Sequence, residues 1–334
     1  MNRLLDTLGR PLRDLRVSVT DRCNFRCPYC MPREVFGEAH RFLPKDQILT
    51  FEEIARVVSL MCERGVRKVR LTGGEPLLRR GLPELVAQLA RIPQVGDLAL
   101  TTNGLLLGPV AQDLKDAGLH RVTVSLDALH DELFRRMSGT DRSVDGVLGG
   151  IRSARRAGLP VKINSVIQRG VNEDQILPLA AWCRDEGYTL RFIEYMDVGN
   201  HNRWHAASVV PAAEILARLH DLHPLEVLSV STPGEVARRY RYADRAGEVG
   251  FVASVTEPFC RDCNRARLTA DGQLVTCLFA EKGADLRALL RSGADDSEVL
   301  QFVSDVWGRR DDRYSELRAG AAQRRKIEMS FVGG

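Results

Sequence analysis

Six times between residues 15 and 196 a short strand-like run is followed by a stretch with helical periodicity. The runs are "LRVSVT" (15–20), "KVRLTG" (68–73), "LALTTN" (98–103), "RVTVSLD" (121–127), "PVKINSVI" (160–167) and "LRFIEYM" (190–196). Helical patterns lie between them, at 50–65, 82–92 and 174–187 among others, several closed by a glycine. Such a repeat calls for parallel strands joined by crossover helices. Six units fall short of the eight of a closed barrel, so the expected fold is α/β, an incomplete (β/α)6 barrel of the TIM type. From about residue 225 the pattern turns to Gly-, Arg- and Tyr-rich hairpin and loop. A boundary near 230 is expected, with the partial barrel over 1–230 and a smaller C-terminal region over 231–334.

Within the runs the two faces differ. Leu15, Val17 and Val19 oppose Arg16 and Ser18; Val69 and Leu71 oppose Arg70 and Thr72; Val161 and Ile163 oppose Lys162 and Asn164. Helices pack on the apolar faces, so the polar faces point into the barrel. That interior would hold Arg16, Arg70 and Lys162, and cations buried without anions are prohibitive. Either inward carboxylates such as Asp127 and Glu194 neutralise them, or the cavity binds something negative.

The 334 residues are 44% hydrophobic and 28% charged, with a net charge of +4, the balance of a soluble globular protein. So mild a charge does not suggest a nucleic-acid partner. No apolar run approaches the roughly 18 residues that a membrane span needs. The first residues lack the pattern of a secretory signal, so a cytoplasmic, reducing location is expected.

There clustered thiols bind metals or do chemistry instead of pairing. Cys62 and Cys183 stand alone in helical stretches and read as small buried hydrophobes. The other six cysteines fall in two trios. Cys23, Cys27 and Cys30 are spaced C-x3-C-x2-C within "SVTDRCNFRCPYCMP", just after the first strand run. Cys260, Cys263 and Cys277 form C-x2-C-x13-C near the C-terminus. A closed structural zinc site takes four protein ligands, so each trio is a zinc knot with a distant fourth ligand or an iron–sulfur site with one iron open.

The C-x3-C-x2-C loop, with Tyr29 before its third cysteine, resembles the signature of the radical S-adenosylmethionine enzymes. "LTGGEPLLR" resembles that family's GGE element, which receives the amino group of S-adenosylmethionine. The block "CxxCNRxRLTADGxLxxCLF" over 260–279 is similar to one subfamily, the GTP 3',8-cyclases of molybdenum cofactor biosynthesis. The likeness extends over nearly the whole chain, through "TTNG", "VSLDAL", "KINSVIQRGVN", "RFIEYMDVGN" and the terminal "GG".

The resemblance implies two [4Fe-4S] clusters, held by Cys23, Cys27 and Cys30 and by Cys260, Cys263 and Cys277. It implies S-adenosylmethionine at Tyr29, Gly74, Ser125 and Met196, with Glu75 facing its ammonium, and GTP at Arg16, Arg70, Thr101, Lys162, Arg265, Ala266 and Arg267. The first cluster would cleave S-adenosylmethionine to a 5'-deoxyadenosyl radical, which takes the 3' hydrogen of GTP so that the sugar attacks C8 of the guanine. Gly333 and Gly334 would reach the active site and serve turnover. Arg191 shares a face with Tyr195 in a regular strand and receives no role. Implied partners are a flavodoxin- or ferredoxin-like electron donor, cyclic pyranopterin monophosphate synthase as recipient of the product, and a second copy in a homodimer, with no membrane or nucleic acid. The rival readings are a peptide-modifying radical enzyme with an auxiliary cluster, and a non-catalytic zinc or electron-transfer protein.

Overall fold

A computed structural model describes residues 4–229, 234–320 and 325–333. Its first six strands are β1 (Asp14–Ser18), β2 (Lys68–Thr72), β3 (Asp97–Thr102), β4 (Arg121–Ser125), β5 (Val161–Ile167) and β6 (Thr189–Glu194). They pair in chain order and all in parallel, with Arg16 beside Arg70 and Thr123 beside Lys162. Helices Phe51–Glu63, Leu82–Ala90, Leu107–Asp116, Asp131–Ser138, Val144–Arg156 and Ile176–Glu186 lie between successive strands. The partial barrel is therefore the one expected from alternation.

Local chemistry sets the helix ends. Thr50 and Glu53 close a reciprocal capping box at the start of Phe51–Glu63. Gly187, left-handed at φ 72°, stops Ile176–Glu186. The apolar strand faces meet these helices: Leu15, Val17, Val69, Leu71, Val122, Val124 and Ile163 are fully buried in the core. Each such side chain contributes roughly 1.5–3 kcal/mol by leaving water.

The C-terminal part continues the same sheet. Its strands are β7 (Leu225–Val227), β8 (Arg238–Tyr242), β9 (Glu248–Val252), β10 (Arg265–Leu268), β11 (Gln273–Val275) and β12 (Ala284–Asp285). β9 pairs in parallel with β6 at one edge, and β10 pairs in parallel with β1 at the other. The full order is β12-β11-β10-β1-β2-β3-β4-β5-β6-β9-β8-β7. The division expected near residue 230 falls on residues 230–233, which lie outside the described residues, as does Gly334. No helix among the described residues is long and apolar enough to cross a membrane.

The strand runs overreach at their carboxyl ends. β6 stops at Glu194, two residues before the end of the alternating run. β1 stops at Ser18, where the chain leaves the ladder for the first cysteine loop.

Candidate active site

The first cysteine loop is fastened to the loop after β2. Gly74 N–H donates to Thr20 O at 2.9 Å and Glu75 N–H to Arg22 O at 2.7 Å. Glycine is required at both preceding contacts. A Cβ at Gly73, whose φ is +148°, would lie 2.5 Å from Thr20 O, and one at Gly74 would lie 2.3 Å from Arg22 O. Beyond this seam the chain turns at Cys27, whose carbonyl accepts from the N–H groups of Cys30 (3.0 Å) and Met31 (2.8 Å). Arg26 ties the turn by donating to Cys23 O (2.7 Å) and Phe36 O (2.6 Å).

The three thiols are crowded. Burial pushes Cys23 up to about 11, and burial together with Cys30 and Cys23 pushes Cys27 well above the usual thiol range. Cys30 is raised by burial and by Cys23. Asn103 Nδ2 lies 3.9 Å from Cys23 Sγ. Tyr29 donates its hydroxyl to Asp127 Oδ2 at 2.5 Å, while Val166 N–H holds the other oxygen at 2.8 Å. Burial raises Asp127 to about 6. Ser125 closes β4 opposite Asn164 of β5.

Glu75 already carries three hydrogen bonds from the chain. Its carboxylate, 1% exposed, accepts from Thr102 Oγ1 (2.7 Å), Asn103 N–H (2.8 Å) and Leu77 N–H (3.0 Å). Burial holds it up at about 7. It braces the loops after β2 and β3 against each other.

The second trio opens onto the barrel lumen. Cys260, Cys263 and Cys277 line a cavity of about 1120 Å³ together with Arg16, Arg70, Thr101, Arg265, Arg267 and Met196. A second chamber of about 1250 Å³, toward the amino ends of the strands, is lined by Lys162, Lys68 and Arg121 and shares Arg16, Arg70, Arg191 and Arg265 with the first. Of the expected cofactor contacts, Met196 lines the first cavity; Tyr29, Gly74, Ser125 and the first trio line neither chamber. Ala266 belongs to the hydrophobic core between its two arginine neighbours.

The lumen is electrostatically incomplete. Burial, then Arg265, lowers Arg16 to about 10, and burial, then Arg16, lowers Arg70 to about 9. Lys162 falls to about 8 through burial and Arg191. The Nε atoms of Arg16, Arg70, Arg191 and Arg265 are buried without a hydrogen-bond partner among the described residues. The carboxylates expected as neutralisers are engaged elsewhere. Asp127 serves Tyr29, and Glu194 accepts from Ala212 N–H (2.9 Å), Val255 N–H (2.8 Å) and Thr256 N–H (2.9 Å). Asp14 and Asp97 enter at the rim, paired with Lys68 (3.4 Å) and Arg121 (2.7 Å). The interior suits a polyanion.

Thr101 accepts from Arg70 Nη1 at 2.9 Å and orients it. Arg267 turns to the chain's own tail, donating to Val332 O at 3.0 Å and to Gly333 O. Gly333, at φ +66°, lies against Thr72 so closely that a Cβ would stand 2.2 Å from Thr72 Cγ2. The tail thus enters beside β1 and β2.

Cys263 contrasts with the first trio. Burial opposes its ionisation, but Arg265 and Arg310 bring it down to about 6. Burial raises Cys277 to about 12. Among the described residues no three His, Cys, Asp or Glu side chains converge tightly enough to hold one metal ion. Two donor sets made of thiols alone fit iron–sulfur ligation, in which each cysteine meets a different iron.

Alternation missed Arg191, Lys68 and Arg121. Arg191 and Ile193 face inward, and because β6 ends at Glu194 the chain leaves regular geometry before Met196, which also reaches the cavity. Lys68 and Arg121 open their strands and share parity with Arg70 and Thr123.

Comparison with known proteins agrees with this geometry. Residues 17–183 match the Radical SAM superfamily and residues 188–316 match Molybdenum Cofactor Synthesis C. The chain is 54% identical to a GTP 3',8-cyclase of Acidothermus cellulolyticus, over 98% of both chains. It is 46% identical to a GTP 3',8-cyclase of Staphylococcus aureus over the full length of both. The chain belongs to the GTP 3',8-cyclase family of radical SAM enzymes. Solved structures extend the likeness of fold. SuiB of Streptococcus suis bound to S-adenosylmethionine aligns with a TM-score of 0.62 at 17% identity, over 93% of this chain and 68% of that one. Methylornithine synthase aligns with a TM-score of 0.53 at 16% identity, over 93% of this chain and 86% of that one.

The seam at Gly74 gives a test within this cyclase-family chain. Gly74→Ala should push Arg22 and the first cysteine loop away, lowering iron retention and S-adenosylmethionine cleavage by roughly tenfold or more, a loss of about 1.4 kcal/mol in transition-state stabilisation. Anaerobic iron analysis and 5'-deoxyadenosine release check it.

Proposed function

We infer that this chain is a radical enzyme converting GTP to (8S)-3',8-cyclo-7,8-dihydroguanosine 5'-triphosphate, the first step of molybdenum cofactor biosynthesis. The observation that carries the reading is a lumen of crowded guanidinium groups onto which the second three-thiol loop opens, with the first three-thiol loop following β1. Cys23, Cys27 and Cys30 would hold one [4Fe-4S] cluster, and Cys260, Cys263 and Cys277 the other. When bound, the first cluster and S-adenosylmethionine supply the one-electron reductive chemistry that activates a substrate C–H bond.

The protein's own contribution is binding and orientation. Tyr29, held by Asp127, frames the S-adenosylmethionine site with Gly74, Ser125 and Met196. Arg16, Arg70, Lys162 and Arg265 receive the triphosphate, since the Nε–H groups of the three arginines find no acceptor among the described residues. Thr101 holds Arg70 for that contact, and Ala266 keeps Arg265 and Arg267 in register on β10. The base end of GTP would lie by the second trio, which shares the cavity with Arg265. Arg267 supports a role for Gly333 and Gly334 by fixing the tail beside Thr72. The division near 230 then separates S-adenosylmethionine handling from second-cluster handling. A cytoplasmic homodimer, a flavodoxin- or ferredoxin-like donor and cyclic pyranopterin monophosphate synthase downstream complete the reading.

The direct test is anaerobic turnover with reductant. GTP and S-adenosylmethionine should yield 5'-deoxyadenosine and a cyclised nucleotide, with about eight irons per chain; zinc alone, without turnover, overturns the assignment.

Lys162 gives a pH signature. A bound polyanion raises its depressed pKa of about 8, so GTP binding at about pH 8 to 9 should take up a proton and weaken as pH rises further. The uptake, read from the buffer dependence of the calorimetric heat, should fall in Lys162→Met to the part that Arg70 contributes; buffer-independent heat in the wild type would remove Lys162 from the site. For the tail, deleting Gly333 and Gly334 should cut cyclisation by about tenfold or more, equal to ~1.4 kcal/mol, with the clusters retained. Unchanged turnover excludes a catalytic role for them.

A further inference from the structure

Against the second cysteine loop lies a buried ion cluster built from both ends of the chain. The Asp6 side chain is fully buried, and those of Arg10 and Arg310 are 2% exposed. Asp6 Oδ2 accepts from Arg10 Nε at 2.5 Å and from Arg310 Nη1 at 3.1 Å. Its Oδ1 accepts from the N–H groups of Leu8 (3.0 Å) and Arg10 (2.9 Å), which fixes the N-terminal turn. Arg310 stacks on Trp307 at 4.5 Å, and Trp307 Nε1 donates to Arg10 O at 3.1 Å.

The remaining guanidinium bonds run to the cysteine loop. Arg10 Nη1 donates to Cys260 O at 2.7 Å and to Asp312 O at 2.8 Å. Arg310 Nη1 donates to Cys263 O at 2.7 Å. Asp312 Oδ2 lies 3.5 Å from Arg310 Nε and accepts from Thr276 Oγ1, beside Cys277, at 2.6 Å. Every cysteine of the trio is thus tied to the ion cluster, two by their own carbonyls and one through its neighbour.

Stability does not account for this arrangement. Buried ions lose hydration, and apolar residues of similar size often serve a core as well or better. What ions supply is fixed geometry and charge. An iron–sulfur cluster's potential follows the local net charge, hydrogen bonding and burial. Of the four ions, Asp312 is partly open to solvent, so its charge is screened more than those of Arg10 and Arg310.

We infer that Asp6, Arg10, Arg310 and Asp312 are positioning residues that fix the second cysteine loop and set the charge against which its cluster accepts an electron. This rests on the reading of that loop as a cluster site. The experiment uses anaerobically reconstituted full-length enzyme, with iron per chain, thermal melting and a potentiometric titration followed by electron paramagnetic resonance. Arg310→Gln should make the second cluster harder to reduce, lowering its reduced-to-oxidised ratio at fixed potential about tenfold, or 59 mV for one electron. Asp6→Asn should shift the ratio the opposite way, with the first cluster unmoved in both. Shifts of one sign, or none, in variants holding both clusters overturn the proposal. If both variants lose second-cluster iron, Arg310→Lys decides: iron and potential kept support it, and iron lost again overturns the charge role. A wild-type chain taking up about four irons instead of eight would refute the cluster reading itself, a separate failure.

Discussion

Guanidinium groups brought side by side inside a protein repel one another and give up their hydration. This barrel accepts that cost in its lumen, where Arg16, Arg70, Arg191 and Arg265 stand with buried Nε atoms that find no acceptor among the described residues. The helices outside and the apolar strand faces between them hold the cations there, because each inward charge stands beside an outward apolar residue of the core, Ala266 in the case of Arg265. The same parallel register that builds the core therefore gathers these cations. The arrangement is one that a polyanionic ligand would complete.

The barrel was legible because alternation is a local signal. Arg16, Arg70 and Lys162 could be placed inside from their immediate neighbours, and helix ends from Thr50, Glu53 and Gly187. The limits of the signal are equally physical. Met196 and Arg191 both reach the cavity because β6 ends at Glu194, and no pattern within the run marks that end. The partners of Glu75 could not be read from its motif, since Thr102 and Asn103 arrive from the end of β3. Asp127 and Glu194 had the right charge to neutralise the lumen, yet each is drawn away by donors distant in the chain.

The two cysteine loops are held by different means. Around the first, glycines let backbone meet backbone, and the carbonyls of Thr20 and Arg22 leave no space for a side chain at Gly73 or Gly74. Around the second, buried guanidinium groups reach the carbonyls of Cys260 and Cys263. The first arrangement was visible as a double glycine behind the cysteines. The second was not, because nothing local links Asp6 and Arg10 to Arg310.

That long connection bears on how the molecule comes together. The supports of the first loop, from Gly74 through Asn103 and Asp127 to Ser138 and Val166, are all present once about half of the chain exists. Those of the second span residues 6 to 312, and β10 must join β1 across some 250 intervening positions. A growing chain can therefore shape its first thiol loop early. Its second must wait until the helix Asp296–Gly308 and the residues just after it have emerged and can meet the N-terminal turn.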